Sequence, residues 1–599
     1  MVECTLDKLL TEEVITSRIK DFTVDQLKAL AAEIRSFLIH NISQTGGHIG
    51  ANLGIIELTI ALHYVFDLEK DKLLFDVGHQ GYTHKLLTGR KALFSSLNSI
   101  NGMSRFISSK ESPYDILDAS HGGTAVSIGT GIAYANKIDN SDSITVSIVG
   151  DGAFVEGMSF EGLNYATQNP LPLLIIINDN GMSIPKNVGS VNHILANKKS
   201  ASNFFSAMGF NYFFIEDGHD LQSSIHVLEK AKASLQEKTT IVHVKTIKGK
   251  GLDIAKDHPY KLHFSMPFDP NDGTSVSPVP AGKTYTEVIA NTLHRLMTDD
   301  KDIFVLTPST PYASGLEKLL VDFPKNSIDV GMAEQQAAGM AAGLTMRHKK
   351  VFLCYQSTFM QRAMDQIFHD ICFMNLPVTI ISSRSGFAGF DSPTHHAIYD
   401  LSYLRGLPNL EIFYAGSSKD LQEIITHRCH YATKPMVILH PYESIRSDEH
   451  HYFRKQKIEE NEIIFTGADG YILSIGNRLE TAITLRDKLR RYGQHVGVIH
   501  IRWVKPFKDE SLLSVISKTP FIVTLEENVK NAGFGSIVSE LITDNALATP
   551  LLRVAIDSDF TQTGDKEYLS TLEKIDCDSI ITQLQKKKLF SCSKKQSSF

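Results

Sequence analysis

The stretch from Ser143 to Pro185 constrains this chain more than any other. An apolar run (Ile144, Val146, Ile148, Val149) ends in Gly150-Asp151-Gly152. A helical pattern follows (Met158, Phe160, Leu163, Ala166), then a second apolar run, Leu173 to Ile177, ending in Asn178-Asp179-Asn180-Gly181-Met182. This spacing predicts two buried parallel strands joined by a helix. Both run ends then lie on one edge of a sheet, the edge where α/β proteins bind ligands. Asp151 and Asn180 become hard oxygen donors facing each other. Mg²⁺ takes a few such donors and completes its octahedron with phosphate oxygens and water. Gly150 and Gly152 let the backbone approach a diphosphate, and the next helix offers its positive N-terminus. Gly-Asp-Gly alone is only a turn after a strand; paired with Asn-Asp-Asn at this distance it reads as a site.

A chain of 599 residues has room for about three to four such domains. Its 42% apolar and 21% charged content is that of an ordinary globular protein. A net charge of −7 argues against a nucleic-acid binder, and the basic run Lys586-Lys587-Lys588 reads as a solvated end. Six cysteines (Cys4, Cys354, Cys372, Cys429, Cys577, Cys592) show no metal-ligand spacing and read as reduced thiols. With no signal pattern and no apolar run of about 18 residues, the expected location is cytoplasmic, with no membrane partner.

Helical stretches alternate with short apolar strands along the chain, which predicts an α/β fold of three doubly wound domains, 1–278, 279–455 and 456–599. The first carries three His/Gly clusters: Gly46-Gly47-His48, Asp76-Val77-Gly78-His79 and His121-Gly122-Gly123. Glycine beside histidine suits a floor where backbone approaches a ligand while an imidazole handles a proton. Further on come Thr246-Ile247-Lys248-Gly249-Lys250-Gly251 and His263-Phe264, then a polar linker to Gly282. The second block holds Ala333-Glu334-Gln335-Gln336, Ser357-Thr358-Phe359, Arg384-Ser385-Gly386 and Asp391-Ser392-Pro393-Thr394-His395. A charged stretch from Glu443 to Glu462 forms the second linker, and the third block reads as chemically quiet.

With these motifs in order, the chain resembles the thiamine diphosphate enzymes of the transketolase family, and more narrowly the 1-deoxy-D-xylulose-5-phosphate synthases. The likeness runs nearly end to end and includes Asp76 to Arg90, Asp217-Gly218-His219-Asp220 and Glu526-Glu527-Asn528. It implies two thiamine diphosphate-binding domains followed by a transketolase C-terminal domain. It also implies Mg²⁺ held by Asp151, Asn180 and the Met182 carbonyl, with Lys256, Gly122 and Gly123 near the cofactor diphosphate. Glu334 would hydrogen-bond the aminopyrimidine ring, with Phe359 packed on its face. A carboxyl there shifts the ring to the imino form that removes the thiazolium proton. Pyruvate would lose CO₂ and its acetyl unit would join an aldehyde, D-glyceraldehyde 3-phosphate by default. His48, His79, His121, His263 and His395 would transfer protons, Asp391 would meet the acceptor hydroxyls, and Arg384 its phosphate. A homodimer serving isoprenoid, thiamine and pyridoxal precursors is also implied.

Departures from the family cluster on the acceptor side. Gln336 stands where the synthases carry His, and Gln356 where they carry Tyr, with Tyr355 one step earlier. His440-Pro441-Tyr442-Glu443 replaces Tyr-Pro-Arg-Gly, so Tyr442 takes the place of a phosphate-binding Arg. Glu156 replaces a small residue, as in the transketolases proper, and the connection from Asn187 to Gly209 is shorter than in the synthases. Losing an Arg and a Tyr from one phosphate costs about 3–5 kcal/mol, or two to four decades of affinity. Arg446 would restore part of this if its loop folds back. An altered acceptor-phosphate site is therefore expected, and a carboligase using a different or unphosphorylated aldehyde is the alternative. A scaffold that kept only the fold would show decay at Glu334, Asp151 or Asn180, and all three are intact.

Overall fold

A computed structural model describes residues 9–590, except 12, 14–15, 169, 259, 277–282, 442, 446–457 and 508–509. The chain divides into two compact units, Met1–Val279 with Val330–Ala333, and Pro280–Asp329 with Glu334–Phe599. The expected boundaries at 278/279 and 455/456 fall outside the described residues.

Strands apolar at nearly every position need a sheet covered on both faces, and the first unit supplies one. Strands β1 (Lys72–Phe75), β2 (Thr145–Gly150), β3 (Leu173–Asp179), β4 (Asn211–Ile215) and β5 (Thr240–Lys245) form a five-stranded sheet in the order β1-β2-β3-β5-β4. All its pairings are parallel. Alternation along each strand feeds two separate cores. Leu73, Phe75, Val146, Ile148, Leu174 and Ile176 enter one, with helix Val24–Thr45. Leu74, Val149, Leu173, Ile175 and Ile177 enter the other, with helix Ala125–Ile138. Thr23 starts the first of these helices through a reciprocal capping box with Gln26.

The second unit holds two sheets. One contains β6 (Ile303–Thr307), β7 (Ser327–Asp329), β8 (Lys350–Gln356), β9 (Thr379–Ser385), β10 (Glu411–Tyr414) and β11 (Met436–Pro441). The other contains β12 (Glu462–Phe465), β13 (Gly470–Ile475), β14 (Val496–Ile501), β16 (Ile522–Val529) and β17 (Leu551–Ile556). The short β15 (Trp503–Lys505) lies in the third block of sequence, yet it joins the first of these sheets, antiparallel to β10. The orders are β15-β10-β11-β9-β8-β6-β7 and β12-β14-β13-β16-β17. Asp420 locks the two blocks together, accepting from Arg502 at 3.0 Å. The three mostly parallel sheets are those the alternating pattern predicts.

Candidate active site

In the first unit, the register pairs Gly150 with Asn178, so the ends of β2 and β3 lie side by side. Asp151 Oδ2 accepts the Gly181 N–H at 2.6 Å, and Asn180 Oδ1 accepts the Met182 N–H at 3.1 Å. Asn187 N–H closes the 181–187 loop on Gly181 O at 3.0 Å. Burial, with the Asp179 carboxylate beside it, holds the Asp151 carboxyl well above the usual range. Asp179 is fastened by His243 Nε2 at 2.7 Å and Lys245 Nζ at 2.5 Å. Burial would raise its carboxyl, but these two bonds outweigh burial and its net shift is downward. A carboxyl, a carboxamide and a backbone carbonyl are a donor set that fits a hard divalent ion and diphosphate oxygens.

The helical pattern of Met158, Phe160, Leu163 and Ala166 forms its helix, though not directly after Gly152. A single turn, Asp151–Phe154, precedes a second helix, Gly157–Ala166, whose N-cap position is the buried Glu156. Glycine is required at 152 because an added Cβ would collide with Ser183, while at 122 a Cβ would displace the end of the Glu156 side chain. Gly123 has φ +80°, whereas Gly150 has open space over its Cα. The rings of His48, His79 and His263 form a triangle with centroids 5.1–5.5 Å apart. Asn52, which follows the first His/Gly cluster and had no role assigned from sequence, ties two of these segments by donating to His48 O and His79 O at 2.8 Å each. Burial, helped by the Lys248 charge, lowers His79 to about 3 and moves His263 well below the usual imidazole range. His121 is exposed and does not join the triangle.

Lys256, expected near the diphosphate, has a solvated side chain. Its side chain is 74% exposed and pairs with Asp253 at 2.6 Å. The buried cation is Lys248, only 6% exposed, whose Nζ donates to Ser183 O at 2.5 Å. Burial, opposed by the Asp151 charge, lowers its amine to about 7. The difference follows from the turn at Gly249 and Gly251, both at positive φ, which directs Lys248 inward and leaves Lys256 on a solvated surface turn.

In the second unit, Glu334 begins helix Glu334–Met346 and is 6% exposed. Its Oε2 is buried without a hydrogen-bond partner, and burial raises its carboxyl. Tyr355, one step before Gln356, donates its hydroxyl to the Glu334 backbone carbonyl at 2.6 Å. Gln356 is buried with Oε1 unpartnered, while Gln336 is exposed. The half-buried Phe359 meets the His395 ring edge-on at 5.8 Å.

Arg384, at the end of β9, has φ +68° and lies over the Tyr312 ring at 5.5 Å. Asp391 and His395 belong to the loop that follows, closed by paired backbone bonds between Gly386 and Ala397 at 2.9–3.0 Å. His440, which the sequence reading left without a role, stacks on Tyr285 and meets Ser383 Oγ at 3.1 Å. Glu443 accepts from Lys566 at 2.8 Å and Asn477 at 3.0 Å. Tyr442 and Arg446 lie outside the described residues.

Comparison with known proteins follows the same division. A family model described as 1-deoxy-D-xylulose-5-phosphate synthase matches residues 11–204. Models described as the transketolase pyrimidine binding domain and the transketolase C-terminal domain match 281–447 and 460–580. A 1-deoxy-D-xylulose-5-phosphate synthase of Syntrophus aciditrophicus is 35% identical, covering 93% of this chain and 92% of its own. One from Listeria monocytogenes is 37% identical, with 92% of each chain covered. Another, from Geobacter sulfurreducens, is 34% identical over 94% of this chain and 95% of its own. Identity at this level over the whole length, across all three sheets, means that the chain belongs to the 1-deoxy-D-xylulose-5-phosphate synthase family of transketolase-type enzymes.

Proposed function

We propose that this protein is a transferase that decarboxylates pyruvate and joins the remaining acetyl unit to D-glyceraldehyde 3-phosphate. The products are 1-deoxy-D-xylulose 5-phosphate and CO₂, with one proton taken up. The observation that carries this reading is Glu334. It is a buried carboxyl with one oxygen unpartnered, in the segment matched by the pyrimidine-binding model. When bound, thiamine diphosphate supplies the nucleophilic carbon and the electron sink. Asp151, Asn180 and the Met182 carbonyl would hold Mg²⁺, with Gly122, Gly123, Gly150 and Gly152 lining the approach and Lys248 supplying a cation. Glu334 would hold a proton at Oε2 toward the pyrimidine, beside Phe359. His79 and His263, kept neutral by burial, would accept or return protons, with His48 in the same triangle. Arg384, Asp391 and His395 would orient the acceptor. His121, exposed, is a weaker candidate for proton transfer.

A second reading is favoured by Glu443, whose carboxylate engages Lys566 and Asn477 next to the position expected to hold phosphate. An unphosphorylated or different aldehyde would suit that rim better. Purified full-length protein with Mg²⁺ and thiamine diphosphate should release CO₂ from pyruvate and form product with D-glyceraldehyde 3-phosphate. Product with D-glyceraldehyde or another aldehyde of a panel, but not with D-glyceraldehyde 3-phosphate, would select the second reading, and product with none of the panel would reject both. A homodimer accompanies the proposal. The exposed Gln336, Gly339, Gly343 and Met346 mark one helix face that it would cover, and a single-chain mass by sedimentation would exclude it.

A further inference from the structure

The third block reads as chemically quiet, yet it grips the loop that carries the acceptor candidates. Glu527, near the end of β16, is buried, and its Oε1 accepts the Phe387 N–H at 2.5 Å. Its Oε2 accepts Asn477 Nδ2 at 2.8 Å and the Arg478 guanidinium. Gly386 has φ +97°, and a Cβ there would strike the same Glu527 carboxylate, so both the turn and the close approach require glycine. His396 is fully buried and works beside it. Its Nδ1 accepts the Ala388 N–H at 2.9 Å, so Nε2 carries the hydrogen and donates to Gln562 O at 2.8 Å. Val529 N–H donates to Ile398 O at 2.7 Å, and Gly564 N–H to Gly389 O at 3.2 Å.

Two segments of the third block, 527–529 and 562–564, therefore fix residues 386–398 at four points. Immediately before them stands Arg384, a non-glycine residue in the left-handed region, a conformation that persists only where its surroundings over-determine it. Pairing of β9 holds it on one side and the Gly386–Glu527 contact on the other. Asn477 extends the grip, because the same Nδ2 also reaches Glu443.

We propose that Glu527 and His396 are positioning residues for the aldehyde acceptor, setting the loop of Arg384, Asp391 and His395 without taking part in the donor half of the reaction. This rests on the reading that the 384–395 segment faces the acceptor. A merely structural joint predicts a different signature: loss of that joint would depress both substrates' kinetics together with thermal stability.

The test uses the full chain with Mg²⁺ and thiamine diphosphate. Glu527→Gln places an amide against Arg478 and Asn477. His396→Phe removes both bonds of the ring, and His396→Asn keeps an acceptor for Ala388 while losing Gln562. The expected result is an acceptor KM raised tenfold or more in the first two, with His396→Asn between them and wild type. Pyruvate KM, and CO₂ release without acceptor, should stay within twofold. Acceptor KM within twofold, or equal effects on both substrates, would overturn the proposal. Should wild type turn over neither aldehyde, the functional reading falls, and hydrogen exchange still judges the positioning role. Protection of 386–398 falling tenfold in His396→Phe while the core strands stay protected supports the clamp, and unchanged protection refutes it.

Discussion

Lys248 and Lys256 lie eight positions apart in one polar segment, and charge alone does not distinguish them. Their surroundings do. Lys256 is a solvated partner of Asp253, an exposed pair whose attraction water and salt screen. Lys248 is buried, donates to the carbonyl next to Met182, and feels the Asp151 charge. A hydrogen bond from a charged group contributes about 1.5–3 kcal/mol, equivalent to roughly 10- to 150-fold in a binding constant. Lys248→Met should therefore weaken Mg²⁺-dependent thiamine diphosphate binding at least tenfold in a fluorescence titration, whereas Lys256→Ala should change it less than twofold. The reverse ranking would return the diphosphate cation to Lys256. Glu334→Ala makes the complementary case: turnover should fall below detection while cofactor binding remains measurable, and undiminished turnover would remove its assigned role.

Among the elements, the join between β1 and helix Ala125–Ile138 is the most exacting. A helix start leaves its first N–H groups without partners, and here Asp76, beyond the end of β1, takes two of them and the Gly123 N–H just before. Its carboxylate accepts Gly123 N–H at 2.9 Å, Thr124 N–H at 3.0 Å and Ala125 N–H at 2.9 Å. Asp76→Ala would leave three buried donors without an acceptor, at a cost of about 2–4 kcal/mol. A fall of several degrees in the first unit's thermal midpoint is expected, with Asp76→Asn falling less; an unchanged midpoint for Asp76→Ala would show that the helix start is satisfied otherwise. Much of this level was legible beforehand. Ile144 to Val149 and Leu173 to Ile177 are unbroken apolar runs, and only a sheet with two covered faces accommodates them. The Gly-Asp-Gly to Asn-Asp-Asn spacing then fixed which edge carries the oxygens. The separate turn Asp151–Phe154 was not legible, because Met158, Phe160, Leu163 and Ala166 all lie beyond it and say nothing of the residues before them. Nor was β15, whose three residues Trp503–Lys505 are too few for any periodicity. The inward turn of Lys248 depends on positive-φ glycines in a loop, and the grip of Glu527 on Phe387 depends on packing between blocks about 140 residues apart.

Across the whole molecule, burial of neutral imidazoles makes stability depend on pH. His63, His79, His84 and His263 in the first unit, and His396 and His440 in the second, are all shifted below the usual histidine range, with burial the largest cause in each. A lowered folded value means that the unfolded chain takes up protons first as acid is added. Stability is therefore fully present above the unfolded value near 6.5 and is lost as pH falls toward the folded value. His440 isolates the effect, since it falls from 6.5 to about 4 through burial, with the Arg384 charge adding to it. Between pH 8 and pH 5 its share of the loss is about 2 kcal/mol. His440→Phe keeps a ring against Tyr285 and gives up the Ser383 contact. The variant should be the less stable protein at pH 8 by about 1 kcal/mol. Its further loss on acidification should be about 2 kcal/mol smaller than wild type's by about pH 5, so the two stability curves cross at about pH 6. Parallel pH profiles for the two proteins would mean that His440 carries the same protonation folded and unfolded, and the acid sensitivity would then have to come from the remaining histidines.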